Sequence, residues 1–285
     1  MQTISTALQT AINAGNPQRV LLKFGNNELS NEDILISAGI ELDENWNTDE
    51  DFAIGNCPSA TLRFALLNDN HQLDNFSFGW FSAFLGARID TGTPTEITRT
   101  FTEGGVQKTY AFAPLGIFYC NKPKILAKTS VSITAYDQMM QFERNMPSNT
   151  TLGFTYPTDI KTILQKICAN RSITLKSSSF LNDDLTVASK PKEFDNATMR
   201  QVIGWIAECA CSNARFTRDG QLELAWFSST GKSFSESDYS SFTPAWYETA
   251  AINGLYCRNT TNSTETTEGQ TKTNNYLILD NPFLK

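Results

Sequence analysis

The feature of this sequence that most constrains its fold is an alternation of apolar and polar residues in the first half of the chain. Side chains of a β-strand point alternately to opposite faces of a sheet, so a period of two predicts strands with one buried face. The alternation covers residues 34–42 and 60–66, and further strands are predicted at 80–89, 108–120 and 125–135. Many short strands separated by Gly, Pro and Asn turns predict a β-barrel or a β-sandwich.

A polar segment at residues 43–51 places acidic or amide side chains at every second position. This spacing is similar to the start of a calcium-binding loop, which also needs a glycine at its sixth position and a bidentate glutamate at its twelfth. Thr48 and Ile54 occupy those two positions. The segment is therefore interpreted as a polar hairpin loop, and calcium binding is the weaker alternative.

The spacing of apolar residues divides the chain into four regions. A helix is predicted within residues 1–19, and a strand-rich region follows at residues 20–145. Residues 146–227 contain two successive units of a helix followed by a strand, which predicts a small α+β domain. Strand-like segments recur in residues 228–285, on both sides of a polar stretch at 258–275 that is interpreted as a mobile loop.

Composition argues against several classes of function. Most hydrolase triads, zinc sites and proton shuttles use histidine, and this chain has one, His71, in a turn-like segment. The net charge is −7, whereas nucleic-acid binding needs clustered Lys and Arg. No apolar run approaches the length of about 18 residues that a membrane span requires. No secretory signal is predicted at the N-terminus, so the six cysteines are interpreted as reduced and mostly buried.

The most organised stretch of the chain is residues 198–227. Thr198 and Gln201 have the spacing of a capping box, which predicts that a helix begins directly after Thr198. Cys209 lies on the apolar side of this helix, near its C-terminal end, where the helix dipole disfavours a thiolate. Cys211 follows about 200° further around a continuous helix, so the two sulfurs cannot bind one ion. Cys209 is therefore interpreted as a core residue, and we predict no catalytic residue, cofactor site or metal ligand in the chain.

A hairpin of predictable register follows this helix. A two-residue loop would place apolar and polar residues opposite each other. A three-residue loop at positions 218–220 instead pairs Phe216 with Leu222. That loop is a type I turn followed by a glycine in the left-handed conformation. We therefore predict a positive φ at Gly220.

Five segments follow one another along the chain in a characteristic order: LSNEDILISAGIELDE, FAIGNCPSATLRFALLN, APLGIFYCNKP, VSITAYDQMMQFE and SNARFTRDGQLELAWF. Together they resemble the tail-hub proteins of phages and prophages that infect Gram-positive bacteria. These proteins are also called tail-associated or prophage endopeptidase tail proteins, and they are similar in fold to the baseplate hub of contractile-tailed T-even phages. No single motif is specific, and the order of the segments carries the resemblance.

The resemblance implies a β-rich α+β fold with β-barrel domains of the baseplate-hub type and a smaller α+β insertion. Residues 20–145 would form the first barrel, 146–227 the insertion, and strands of 228–285 would contribute to a second barrel. The implied assembly is a homotrimer that adapts a sixfold tail tube to the tail tip and lines the DNA channel. Its partners would be distal tail, tube and tape-measure proteins, with DNA present only in transit. The implied location is the virion tail, after synthesis in the bacterial cytoplasm.

Two other functions stay open at this point. A peptidoglycan-degrading endopeptidase or glycosidase would need an acid and a base, for which Asp183 with Asp184, or Glu265 with Glu268, are the candidates. A receptor- or glycan-binding module would instead use exposed aromatic side chains. The candidate aromatic residues for such a module are Trp226, Tyr239, Trp246 and Tyr247.

Overall fold

The structure is a computed structural model. It describes residues 4–44, 54–69, 73–74, 76–120, 123–127, 129–226, 254–257, 276–279 and 281–284. His71 and the polar loop predicted at 258–275 lie outside the described residues. The calcium-like segment does so as well, apart from Asp43 and Glu44 at its start.

The described chain is β-rich, and most of its strands belong to one large antiparallel sheet of nine strands. These strands are β1 (Gln18–Phe24), β2 (Asn27–Ser30), β3 (Glu41–Asp43), β4 (Thr61–Leu67), β5 (Trp80–Arg88), β6 (Ile97–Glu103), β7 (Val106–Tyr119), β8 (Lys124–Ala127) and β9 (Ser130–Asp137). Their order across the sheet is β2–β1–β5–β7–β9–β4–β3, with β6 also paired to β7 and β8 to β9. Helix α1 (Thr6–Asn13) packs its buried Leu8 and Ala11 against this sheet.

Apolar alternation predicted several of these strands. Strands β4, β5 and β7 lie within two residues of the predicted segments. The segment 125–135, predicted as one strand, contains parts of β8 and β9, which pair antiparallel, so the chain reverses between them. The main core of the sheet is filled from one face of each strand, as period-two patterning requires. Its fully or nearly buried members include Leu22, Leu62, Leu66, Phe81, Phe118 and Ile133.

The prediction of a strand over residues 34–42 is wrong for most of that segment. Residues 36–38 form a short 3-10 turn, and the side chain of Ile36 is exposed. Gly39 then adopts a φ of 74°, which L-residues with side chains rarely adopt. The chain therefore turns between two short contacts with β4: an isolated bridge from Ile34 to Leu66, and the pairing of β3.

One half of the sheet curls until its two outer strands, β2 and β6, approach each other. Arg99 of β6 lies 2.5 Å from Glu28 of β2, and Arg19 of β1 lies 2.8 Å from Glu103 of β6. The guanidinium of Arg19 also lies 4.2 Å from the centre of the Phe101 ring. These contacts cover a second, smaller core on the face opposite the main one. Its buried members are Leu21, Phe84, Tyr110 and Phe112.

The other half of the sheet also turns back on itself. Directly after β2, the chain runs beside β4, at the far end of the strand order. The backbone N–H of Leu35 donates to the carbonyl of Ala65 at 2.9 Å, and the N–H of Leu67 donates to the carbonyl of Asp33 at 2.8 Å. Within the described residues the strand path does not close, so the sequence-based prediction of a barrel is confirmed only as a large antiparallel sheet.

The α+β region has a core of its own, built mainly from two helices. Its elements are α2 (Asn149–Leu152), β10 (Thr158–Asp159), α3 (Ile160–Asn170), β11 (Thr186–Val187), α4 (Met199–Cys209), β12 (Asn213–Phe216) and β13 (Leu222–Ala225). The predicted apolar faces of α3 and α4 are buried in this core. No strand follows α3, where one was predicted, because Leu175 makes only a single parallel bridge with Leu222. The remaining strands, β14 (Gly254–Cys257) and β15 (Tyr276–Leu279), pair in parallel.

Candidate functional site

The helix that the sequence singles out begins as predicted. The side chain of Thr198 accepts a hydrogen bond from the backbone N–H of Gln201 at 3.2 Å, and the side chain of Gln201 accepts one from the N–H of Thr198 at 2.8 Å. This capping box satisfies two backbone donors that the first turn would otherwise leave unpaired. It fixes the start of α4, whose apolar side then lies in the core of the α+β region.

The two cysteines at the end of α4 lie in different environments. Cys209 is 5% exposed and belongs to the helix core, with the side-chain nitrogen of Asn281 at 3.4 Å from its sulfur. Cys211 is exposed and has a φ of 49°, in the left-handed region, so the helix ends before it. In the described chain, no group of three or more His, Cys, Asp or Glu side chains could hold a metal ion.

The remaining thiols that the structure describes are buried and free. Burial raises the pKa of Cys57 and of Cys168 to about 12, and that of Cys120 to about 11. At neutral pH these thiols are therefore protonated, and a protonated thiol is a poor nucleophile. Four of the five cysteines whose side chains the structure describes are buried, which agrees with the interpretation of the cysteines as mostly buried.

The hairpin after α4 has the register predicted from its turn. Phe216 pairs with Leu222, and the flanking Thr217 donates its N–H to the carbonyl of Gln221 at 2.8 Å. The N–H of Gly220 donates to the carbonyl of Thr217, and Gly220 has a φ of 79°. This is the type I turn with a left-handed glycine that a three-residue loop requires.

The turn of this hairpin packs onto the large sheet. A Cβ atom at Gly220 would lie 2.6 Å from Cδ1 of Ile117, which belongs to β7. Next to this contact, Arg218 forms an ion pair with Glu44 at 3.0 Å. The side-chain oxygen of Gln138, buried nearby, has no hydrogen-bond partner among the described residues. The hairpin thus joins the core of the α+β region to the sheet.

A nearly buried carboxylate, Glu223, holds the base of the hairpin. It accepts hydrogen bonds from Arg215 at 2.6 Å, across the two strands, and from Lys176 at 2.5 Å. Burial alone would raise the pKa of Glu223, but the hydrogen bond from Lys176 and the charge of Arg215 outweigh it and lower that pKa. The partner Lys176 could not be found by sequence reasoning, because it comes from a distant, irregular segment.

The segment after β15 packs on α4. The side-chain nitrogen of Asn281 donates to the carbonyl of Trp205 at 2.7 Å and to the carboxylate of Glu208 at 2.6 Å. Phe283 is buried against the Phe194 ring, with 5.6 Å between the ring centres. These contacts fix residues 281–284 to the α+β region. The contribution of residues 228–285 to a second barrel stays a prediction.

Among the acidic residues considered for catalysis, Asp183 has structural partners in the described chain. A hydrogen bond from Ser179, followed by the ion pair with Lys161 at 3.1 Å, lowers the pKa of Asp183. An ionised, ion-paired carboxylate is poorly suited to act as a general acid at neutral pH. Glu265 and Glu268 lie outside the described residues, as do the candidate aromatic residues other than Trp226.

Asp137 is the buried carboxylate with the most unusual environment in the sheet. Burial raises its pKa, although three donors reduce the effect: the Ser59 hydroxyl at 2.7 Å and the N–H groups of Ala60 and Met139, both at 3.0 Å. By accepting the N–H of Met139 it caps the 3-10 helix at residues 138–142. Its role in the described structure is to connect the start of β4 to the end of β9.

Comparison with known proteins gives alignments with solved structures at low sequence identity. No protein-family model and no curated protein matches the sequence. A tail protein from Neisseria meningitidis MC58 aligns over 86% of this chain and 56% of its own, with a TM-score of 0.44 and 13% identity. The 43 kDa tail protein of prophage MuSo2 from Shewanella oneidensis aligns over 73% of this chain and 54% of its own, with a TM-score of 0.42 and 9% identity. The chain thus spans about half the length of each of these structures.

None of the helices in the described part of the chain has both the length and the apolar character needed to cross a bilayer.

Replacing Gly220 with valine should destabilise the protein through two effects. Valine would be strained at a φ of 79°, and its Cβ would meet Ile117 at 2.6 Å. Gly104→Val is the matched control, because Gly104 also has a positive φ but no atom within 4 Å of an added Cβ. We expect Gly220→Val to lower the free energy of unfolding, measured in urea, by about 1–3 kcal/mol more than the control does. Equal losses in the two variants would contradict the packing of the turn on β7.

The Glu223 ion pairs should make stability depend on pH. Because the pKa of Glu223 is lower in the folded than in the unfolded protein, its contribution is complete above the unfolded pKa of about 4.3 and is lost as the pH falls below it. We expect the difference in unfolding free energy between the wild type and Glu223→Gln to be largest near neutral pH and to shrink below about pH 4. Glu41→Gln, in the exposed pair with Arg63, is the control, with an effect below about 1 kcal/mol at neutral pH. A Glu223→Gln difference that stays constant with pH would contradict the assignment.

Proposed function

We propose that this chain is a structural component of a phage or prophage tail, acting as a hub at the tail tip or baseplate. One observation carries the proposal. Four of the five segments that resemble tail-hub proteins contribute neighbouring strands of the sheet. The stretch at 33–35 lies beside β4, β4 pairs with β9, and β9 pairs with the end of β7. The fifth segment forms the hairpin whose turn packs on β7.

The proposed hub has a barrel built from this sheet. Its closure would run through residues 33–35, whose backbone hydrogen bonds to β4 connect opposite ends of the strand order. The ion pairs between the edges of the curled half, Arg99 with Glu28 and Arg19 with Glu103, favour the same curvature. A closed sheet also protects strand edges that would otherwise pair with other chains. Strands of residues 228–285 would contribute to a second barrel.

In the proposed assembly, three copies surround the tail axis and adapt a sixfold tube to the tip. Distal tail, tube and tape-measure proteins would be its partners. DNA would pass through the channel without binding. The net charge of −7 supports this part of the proposal, because a lumen with an excess of carboxylates repels the phosphate backbone. A basic lumen in the assembled ring would argue against it.

The oligomeric state tests the hub directly. We expect light scattering of the purified chain at micromolar concentration to give a trimer, three times the chain mass of 31.7 kDa. A stable dimer or a monomer would contradict a self-assembling trimeric hub. Leu181→Ala, which removes an exposed side chain outside the sheet, provides a control that the mass does not depend on a surface substitution.

We further propose that the chain has no cell-wall hydrolase activity. The environment of Asp183 supports this, because the Ser179 and Lys161 contacts keep that carboxylate ionised. We expect a zymogram of the refolded chain on peptidoglycan to show no clearing, with a lysozyme lane as the positive control. Clearing that disappears in Asp183→Asn would instead establish the glycosidase alternative.

A further inference from the structure

Three aromatic side chains stand directly opposite one another on adjacent strands of the large sheet. Trp80 of β5 pairs with Tyr119 of β7, and Tyr119 pairs with Tyr136 of β9. Directly opposite residues on neighbouring strands project from the same face of a sheet. Their chain neighbours Phe81 and Phe118 are buried in the main core. The aromatic row, Trp80, Tyr119 and Tyr136, therefore lies on the outer face.

The aromatic row is open to solvent. The ring centres of Trp80 and Tyr119 are 5.0 Å apart with their planes tilted by 50°. Trp80 is 41% and Tyr136 is 45% exposed. Single exposed apolar residues are ordinary, whereas three aromatic rings in one row form a small continuous patch, and its size and charged surroundings decide what can bind there.

The aromatic row by itself is smaller than the interface that a stable protein partner buries. An aromatic side chain offers about 150–250 Å² in full, so the exposed fractions here sum to roughly 200–300 Å². A standard protein–protein interface buries about 800 Å² on each partner. On the same face, the next positions are the polar Ser82 of β5 and Thr134 of β9, and Ile117 of β7, against which the turn at Gly220 packs. These neighbours limit the row to a width of one residue. This size matches one face of a small ligand.

The described charges around the aromatic row disfavour a nucleic acid, although Lys124, opposite Ser132 of β9, lies on the same face. Single-stranded DNA or RNA also stacks on aromatic rings, but it needs a positively charged groove for its phosphates. The row continues across the sheet through Thr61 to Asp43, an acidic end. Arg63, two residues from Thr61 on the same face, is already paired with Glu41 at 3.2 Å. The chain as a whole carries a net charge of −7.

We propose that the aromatic row binds a neutral oligosaccharide of pyranose units. The apolar C–H face of a pyranose ring stacks on an aromatic ring, and its hydroxyl groups can reach the polar residues on either side. Neighbouring strands lie about 4.8 Å apart, so the row spans about 10 Å, which two consecutive sugar rings cover. The proposal does not depend on the tail function. Its residues also differ from the aromatic residues that the sequence suggested for a glycan-binding module.

The probes for this site are chitotetraose, cellotetraose and maltotetraose, titrated into the full chain by calorimetry. We expect at least one of them to bind with a dissociation constant of about 1 mM or below, since an open row without a pocket binds weakly. Trp80→Ala should weaken that binding by about tenfold or more, the effect typical of losing one stacking partner. Trp80→Phe, which keeps a ring, should retain most of it. Leu181→Ala removes an exposed apolar side chain outside the sheet and should change nothing.

Three results would overturn the proposal. The first is that none of the three oligosaccharides binds to the folded wild-type chain. The second is that Trp80→Ala and Leu181→Ala bind equally well, with melting curves that show both are folded. The third is that Trp80→Ala or Tyr136→Ala lowers the oligomeric mass in light scattering, which would make the row a contact between copies of this chain. Because this last measurement is independent of calorimetry, failure of the hub and failure of the saccharide site are distinguishable.

Discussion

The architecture depends on a bend in the long strand β7. Before the bend, residues 106–112 pair with β6, and after it Phe118 and Tyr119 pair with β9, while β5 lies along the other side of the strand. Pro114, which has no N–H to donate, and Gly116, with a φ of 155°, interrupt the regular ladder where the register with β5 shifts. A Cβ at Gly116 would meet the Phe118 ring at 2.8 Å. Strand β7 therefore belongs to both curved halves of the sheet, and each half has its own core.

The same bend positions the two surfaces on which function is proposed. Ile117, directly after it, receives the turn at Gly220, so the α+β region is attached to the sheet at this point. Tyr119, two residues further on the same face, is the central ring of the aromatic row. The irregular part of β7 therefore positions both the contact with the α+β region and the aromatic row. A change in the bend would alter both surfaces together, whereas a change at Trp80 would alter only the row.

Sequence reasoning succeeded where the determining interactions are local and failed where they are not. The capping box at Thr198 and the positive φ of Gly220 follow from residues within a few positions of each other, so spacing alone predicted them. The alternation at 34–42 is as regular as that of β4, yet the pairing partner reaches only its two ends, and Gly39 turns the chain between them. Periodicity reports which side chains can share a face. It does not report whether a neighbouring backbone is present to pair with them.

The aromatic row could not be predicted from the sequence pattern either, because it depends on how three strands pair. Trp80, Tyr119 and Tyr136 belong to three separate strands, and only the register of β5, β7 and β9 places them in line. In β5 and β7 the outward aromatic residue stands next to an inward phenylalanine, and in β9 Tyr136 follows the inward Ala135. No single strand therefore gives a signal of a site. Asp183 and Asp137 are, by contrast, held by hydrogen-bonding partners, and burial keeps the thiol of Cys57 protonated. Catalysis needs a group whose pKa is tuned and whose reactive atom is accessible. The rings of Trp80 and Tyr136 are accessible on the outer sheet face, and stacking on them requires neither an acid nor a base.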